Sequence, residues 1–452
     1  MVMDKQIKTK NLSGGIRFMG LSFGMTSGVG VAVTMILSNR ALGQAGTNAI
    51  SNTSSAITNK IETSDSIWTR STLGGDWGGL RPQLNDHGVS FRIELTQFGS
   101  GMTGGEGSKS WEYGGKGDVY LTVDGAKAGL WDGLFIGVRG EQNYGRDVNG
   151  YGGTLLPNNA SLAFPGTRDG DIGLEITQKF SDEVAIKFGK LNMVDAAKAT
   201  PIKGGGGIDT FMNTALAVPP SGLIPPEVFG AFLNISTKPV SYVLAVYDPN
   251  SAAQRTGLEH PFRDGVSFRA GATLSAKPLG LQGFYGVKAM YSTLAGLDLR
   301  SIPDLLFPPE TGTVRTTRAN PYFFGVSVQQ YLYQDANDPK RGWGFFGELG
   351  FSDGNPTVQQ WAGYFGLGGT SPLPGRGADL CGVAVFRNSL SDYLVQGLSP
   401  VLRLRDEQGL EAFYNVAVTP WLHVTADIQW VSPYQENYPN AVFAALRTNI
   451  KF

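Results

Sequence analysis

The chain has 452 residues, 41 % hydrophobic and 17 % charged, and its 63 glycines are roughly twice the usual share. That glycine load argues against a compact helical enzyme. Collagen is excluded because glycine does not recur at every third residue, and a disordered chain because aromatics make up 11 % and apolar alternation recurs. Thirty-seven basic residues against 38 acidic ones leave a net charge of −1. No Lys/Arg run suited to a phosphate backbone is present, so nucleic acid is not an expected partner. One cysteine, Cys381, and three histidines, His87, His260 and His423, exclude an internal disulfide framework and a Cys-cluster metal site, and no cofactor is expected.

From the N-terminus, Lys5, Lys8, Lys10 and Arg17 precede a weakly apolar stretch from Phe18 to Leu37, followed by the small-x-small site Gly43-Gln44-Ala45. This pattern predicts a signal peptide over 1–45, the alternative being a membrane anchor. Its removal would leave 32 basic against 37 acidic residues, a charge of −5. Residues 46–65 are Ser/Thr/Asn-rich and read as a flexible leader, and 66–88 as an N-terminal periplasmic segment. Within it, Trp77, Leu80 and Leu84 fall at helical spacing, predicting a short amphipathic helix over Trp77–His87 against the periplasmic mouth. Asp76 is its expected N-cap, and Pro82 is expected near its end.

Beyond the leader, no apolar run reaches the ~18 residues a spanning helix needs. Instead, segments of about ten residues alternate with period 2 between turn clusters. In the first, Val89, Phe91, Ile93 and Leu95 alternate with Ser90, Arg92, Glu94 and Thr96. The same pattern recurs in Leu134–Glu141, Val184–Phe188, Val266–Leu274 and Leu422–Trp430. A soluble sandwich shares this period. Three features favour a membrane barrel: the export signal on a glycine-rich, cysteine-poor chain; aromatics near segment ends (Trp343, Phe345, Trp361, Tyr364, Trp421, Trp430); and a final strand with Ile450 and Phe452 on its apolar face and Arg447, Asn449 and Lys451 on the other. At about 25 residues per strand and connection, 89–452 holds about 14 to 16 strands, and at 16 such a barrel encloses an aqueous channel. The expected fold is therefore all-β, a transmembrane antiparallel β-barrel over 89–452, and the expected function passive passage of small solutes.

GDWGGLRPQL (Gly75–Leu84) resembles the opening of the carbohydrate-selective outer-membrane porins of the glucose porin B type. KFGKLNMVD (Lys187–Asp195), FMN (Phe211–Asn213), VYDPN (Val246–Asn250), LPGRGADLCGVAVFRNSLSD (Leu373–Asp392) and EAFYNVAVTPWLHVTADIQWV (Glu411–Val431) are similar to that family's later blocks, in order. The resemblance covers roughly 66–452 and implies a 16-stranded barrel in the bacterial outer membrane that conducts mono- or oligosaccharides, surrounded by lipid. The strand ending at Phe452 would engage the barrel-assembly machinery.

A sugar entering a constriction exchanges water for wall donors and acceptors, so inward charged positions are the candidate lining. By the alternation these are Arg92, Glu94, Arg139, Glu141, Glu175, Lys187, Arg269, Glu348 and Asp427. The irregular stretch Ala196–Gly230, with GGGG at 204–207 and two Pro-Pro pairs, is too long for an ordinary connection. The family resemblance assigns it a pore-narrowing role, with Phe211 and Asn213 facing sugar. Three other readings stand beside this one: a general diffusion porin without sugar selectivity, an outer-membrane barrel enzyme, and a secreted carbohydrate-binding β protein. The enzyme would need a nucleophile beside a histidine; His423, the only strand-borne histidine, is flanked on its face by Thr425 and Asp427.

Overall fold

A strand that is apolar on one face and polar on the other, repeated many times, buries its edges only by closing on itself. The computed structural model shows that solution; it describes residues 66–166, 168–218, 223–250, 260–310, 312 and 316–452. The signal peptide and leader expected over 1–45 and 46–65 lie outside the described residues. The strands are β1 (Val89–Gly104), β2 (Trp111–Asp124), β3 (Leu134–Gly145), β4 (Gly170–Lys179), β5 (Val184–Asn192), β6 (Glu227–Ser236), β7 (Val240–Tyr247), β8 (Ser267–Ala276) and β9 (Gly283–Ser292). After them come β10 (Gly296–Leu297), β11 (Thr317–Arg318), β12 (Tyr322–Gln334), β13 (Gly342–Ser352), β14 (Gln359–Thr370), β15 (Leu380–Leu390), β16 (Glu407–Thr419), β17 (Leu422–Ser432) and β18 (Ala441–Lys451). β10 and β11 form a separate ribbon. The other sixteen strands make one closed antiparallel barrel, each paired with its sequence neighbour and β1 with β18. Among the described residues no helix is long and apolar enough to cross a membrane.

The two ends of the barrel differ. Turns such as 180–183 and 237–239 are short at one end, whereas 146–169, 193–226 and 293–321 are long connections at the other. The outward face carries exposed aliphatics mid-strand, among them Val119, Val138, Leu244, Val326 and Val385. Exposed aromatics flank this band: Trp131, Phe180 and Tyr333 at the short-turn rim, Trp111, Tyr322 and Phe351 at the long-loop rim. An aliphatic belt between aromatic girdles is the surface a bilayer requires. Tyr364, expected among the girdle aromatics, instead points inward, its Oη donating to Glu348 Oε2 at 2.9 Å.

The inward/outward alternation holds through β1, β3, β8, β17 and β18, and breaks usefully in β5. Gly189 has φ +128°, and a Cβ there would fall 2.1 Å from the Leu174 carbonyl oxygen. This local change of phase turns both Lys187 and Lys190, three residues apart, into the lumen.

The N-terminal helix spans Leu80–Asp86, shorter than expected. Asp76 does not cap it: its Oδ1 accepts from Gly78 N at 3.0 Å, while Gly79, left-handed at φ 89°, holds the N-cap position. Pro82 sits in the first turn, where its missing N–H breaks no helical bond. Trp77 packs on Phe91 with ring centroids 4.7 Å apart, so the segment meets the apolar-facing set of β1 at the short-turn rim.

The described residues of the stretch 193–226 fold into the barrel. They carry two short helices, Met193–Ala197 and Thr214–Ala217, capped by the side chains of Asn192 and Asn213. One apolar cluster joins Met193, Leu223 and Ile224 to Phe232, Tyr247 and Phe323 of the wall; another joins Ile202, Phe211 and Leu216 to Phe346, Phe386 and Phe413.

Candidate functional site

Strand register places acids side by side on one stretch of inner wall: Glu94 of β1 opposite Asp118 of β2, Asp118 opposite Glu141 of β3, and Glu141 opposite Asp171 of β4. Like charges in directly opposed positions repel unless counter-charges intervene. The neighbouring positions supply them. Lys116 Nζ lies 2.7 Å from Glu141 Oε1, and Lys190 Nζ 2.6 Å from Asp171 Oδ1. Arg139, two residues along β3, reaches Asp118 at 2.9 Å and also pairs with Glu141. Arg92 pairs with Glu94 at 3.0 Å and lies over the Tyr120 ring at 4.1 Å.

The inward segment is tied to this wall. Arg139 Nε reaches Asp195 Oδ2 at 2.7 Å, Tyr120 Oη donates to the same oxygen at 2.8 Å, and Lys198 Nζ lies 2.7 Å from Asp195 Oδ1. Burial alone would raise the Asp195 carboxyl, but Arg139, Lys198 and Lys116 hold it well below the usual range. It is an anion among cations that crosslinks the segment to the barrel.

Strands β16 and β18, near β1 in the barrel, and β12 farther round grip the segment's backbone. Glu411 accepts from the Met212 N–H and from Asn213 N at 3.0 Å, Gln329 Oε1 from Ile202 N at 2.9 Å, and Arg447 Nη1 donates to Thr210 O at 2.7 Å. Arg447 also meets Asp427 Oδ2 at 2.9 Å. Asp209, on the segment, lies 3.6 Å from His423 Nδ1. Burial would raise its carboxyl, yet His423, Lys451 and Lys198 bring it to about 2.

The sequence-predicted lining residues thus fall into groups. Arg92, Glu94, Arg139 and Glu141 come together on the acidic wall. Glu175 and Lys187 pair with each other at 3.1 Å nearer the short-turn end. Glu348 bonds Lys288 and Tyr364 on a third stretch, near Arg269. Asp427 sits with Arg447 and Gln429. The expectation that Phe211 and Asn213 face sugar needs correcting. Phe211 is 0 % exposed, wedged edge-on between Phe346 (5.6 Å) and Phe413 (4.8 Å), and Asn213 is buried, donating to Gln429 Oε1 at 3.0 Å. They are anchors of the segment. The residues missed were Lys116, Asp118, Asp171, Lys190, Asp195, Glu411 and Arg447. All but Lys190 and Asp195 occupy inward positions that the same period-2 count would have found; Lys190 is brought inward by the change of phase at Gly189, and Asp195 needed the long-range fold.

Between segment and wall, at the short-turn end, lies a cavity of about 320 Å³ bordered by Arg92, Glu94, Lys198, Asp209, Lys340 and Lys451, with Phe413 and Ile202 on its apolar side. Among the described residues no group of His, Cys, Asp and Glu is arranged to hold a metal ion.

Residues 108–452 match the model of the carbohydrate-selective porin, OprB family. The chain belongs to that family. No curated protein matches it. Among solved structures, that of Pseudomonas putida OprB at high pH is similar with a TM-score of 0.74 at 20 % identity, covering 86 % of this chain and 100 % of that one. The low-pH structure of the same protein gives 0.51 at 18 % identity, covering 85 % and 99 %. The barrel is therefore that of an OprB-family porin of the bacterial outer membrane, a sugar-selective channel, and membership points to a channel rather than an enzyme.

Proposed function

We propose that sugars cross this porin past the acidic wall and the inward segment 193–226, that Arg92 and Glu94 exchange hydrogen bonds with sugar hydroxyls there, and that Arg139 and Glu141, enclosed among their counter-ions, hold that wall in shape. The observation that carries this reading is the paired, nearly neutral charge array of that wall, held in place by the Arg139–Asp195 bridge. A wall of alternating fixed charges offers donors and acceptors to a polyhydroxylated solute while favouring neither ion sign strongly. Lys187–Glu175 and Lys288–Glu348 repeat the arrangement elsewhere in the lumen. Phe211 and Asn213 shape the passage indirectly, by fixing the segment.

The short-turn end, with the N-terminal segment, is read as periplasmic, because bacterial barrels carry short turns on that side. The aliphatic belt would contact outer-membrane lipid. The strand ending at Phe452, whose N–H donates to Ile93 O at 2.9 Å, would be presented to the assembly machinery. The test is single-channel conductance in a planar bilayer with glucose, a disaccharide and an amino acid as blockers. Saturable block by sugar, weakened in Glu94→Gln, is expected; equal block by the amino acid would leave a general diffusion pore.

A further inference from the structure

The cavity at the short-turn end has a charge pattern unlike the rest of the lumen. On the acidic wall every cation is matched by a carboxylate. Around the cavity, four cationic side chains, Arg92, Lys198, Lys340 and Lys451, meet only two acids, Glu94 and Asp209. Arg92 is paired with Glu94, and Lys198 with Asp195. Lys340, in the turn between β12 and β13, and Lys451, at the end of β18, have no carboxylate within 4.0 Å of their ammonium groups among the described residues, although the Lys340 backbone N donates to Asp338 Oδ1 at 3.1 Å. Lys451 acts on Asp209 only at longer range, so two ammonium groups without a contact ion pair border one concave site and give it a net positive, anion-attracting field, stronger inside a walled mouth than on open surface.

The rest of the lining is not that of a simple ion sink. Thr200, Thr210 and Thr370 also line it, with the apolar Phe413 and Ile202 and the carboxylate residues Glu94 and Asp209. Those carboxylates gain from a ligand that donates O–H or N–H groups, which chloride and sulfate lack. The volume of about 320 Å³ lies within the range of small-molecule sites and suits one sugar ring.

We propose that this cavity binds an anionic monosaccharide, a sugar acid whose carboxylate lies between the Lys340 and Lys451 ammonium groups while its ring hydroxyls reach Glu94 and Asp209. The proposal rests on the reading of the lumen as a sugar path and extends its substrate class from neutral sugars to hexuronates and aldonates. The apolar C–H face of the ring would lie toward Phe413. The same site would draw such substrates through the narrow part of the channel and hold them briefly at the exit.

The probe is D-glucuronate, compared with D-glucose and with sulfate, titrated against ion current through single channels of the full chain. In the native porin glucuronate should block at concentrations below glucose, and sulfate should not block. In the Lys340→Gln/Lys451→Gln double variant, glucuronate block should weaken about tenfold with glucose block unchanged, because only charge-assisted contacts are lost. Unchanged glucose block also shows that the variant is folded. Glucose block without preferential glucuronate block, sulfate block equal to glucuronate block, or an unaffected double variant would each overturn the proposal and leave the neutral-sugar path standing. Glucuronate block without glucose block would support the cavity and overturn that path.

Discussion

Arg139 holds more of the lumen together than any neighbour, since its guanidinium meets Asp118, Glu141, Asp195 and, at 3.5 Å, Glu227. Removing one member of a buried ionic network costs more than the network contributes, because the partners remain charged and unpaired. Arg139→Met should therefore destabilise the barrel by about 3–5 kcal/mol, read as a lower temperature for loss of the compact band in unheated electrophoresis. The reversal potential in a salt gradient should also move toward cation selectivity. An unchanged potential would mean that these acids do not face the conducting path. Asp147, in the long connection after β3, gives a pH signature. Burial pushes its carboxyl up to about 6, against the lowering effect of its bond from Asn149 N. Its folded pKa lies above its unfolded value, so its contribution to stability is complete below about pH 4 and is lost as pH rises through about 6. The 146–169 connection should resist proteolysis better at pH 5 than at pH 7, and Asp147→Asn, which keeps the acceptor oxygen, should remove that difference.

At the scale of elements, segment 193–226 is held by ionic contacts to β3 and by backbone grips and aromatic packing from strands between β12 and β18. Glu411→Ala would leave the Met212 and Asn213 N–H groups buried without their acceptor, at about 1–3 kcal/mol each. Phe211→Ala would open a void between Phe346 and Phe413, at about 3–5 kcal/mol. Both variants should make the segment protease-sensitive and the open channel noisier, with the barrel still closed. If Phe211→Ala weakened sugar block without either change, the residue would contact sugar after all. This element also marks where sequence reading stopped. Alternation sorts β1, β8 and β17 into two faces because each side chain's environment depends only on strand parity. It cannot register Gly189, where one glycine resets the phase and brings Lys190 inward. Nor can it show that Phe211 is enclosed, which depends on contacts with strands more than 130 residues away. The sugar-facing reading of FMN rests on the family resemblance, and the fold uses both Phe211 and Asn213 for anchoring instead.

For the whole molecule, the decisive event is closure of a sixteen-stranded sheet, in which β1 must find β18 across nearly the entire chain. Every other barrel pairing joins strands adjacent along the wall's path, so the seam pays the largest loop-closure entropy. The N-terminal segment lies across that seam. Leu73 N donates to Lys451 O at 2.7 Å, and Trp421 Nε1 to Ile67 O at 2.7 Å. Arg81 binds both edges at once, donating to Phe91 O of β1 at 3.3 Å and to the Phe452 carbonyl at 3.1 Å, with its guanidinium 4.5 Å from the Phe91 ring centroid. A side chain that bridges the first and last strands acts as a clasp, and its loss should be felt in closure rather than conduction. Arg81→Ala should cost about 1–3 kcal/mol, lowering the temperature at which the compact band disappears and slowing refolding into detergent. Single-channel conductance and sugar block should stay unchanged, because Arg81 stacks on Phe91, which belongs to the apolar outward face of β1. Altered conductance in that variant would place the segment in the solute path and end its reading as a clasp.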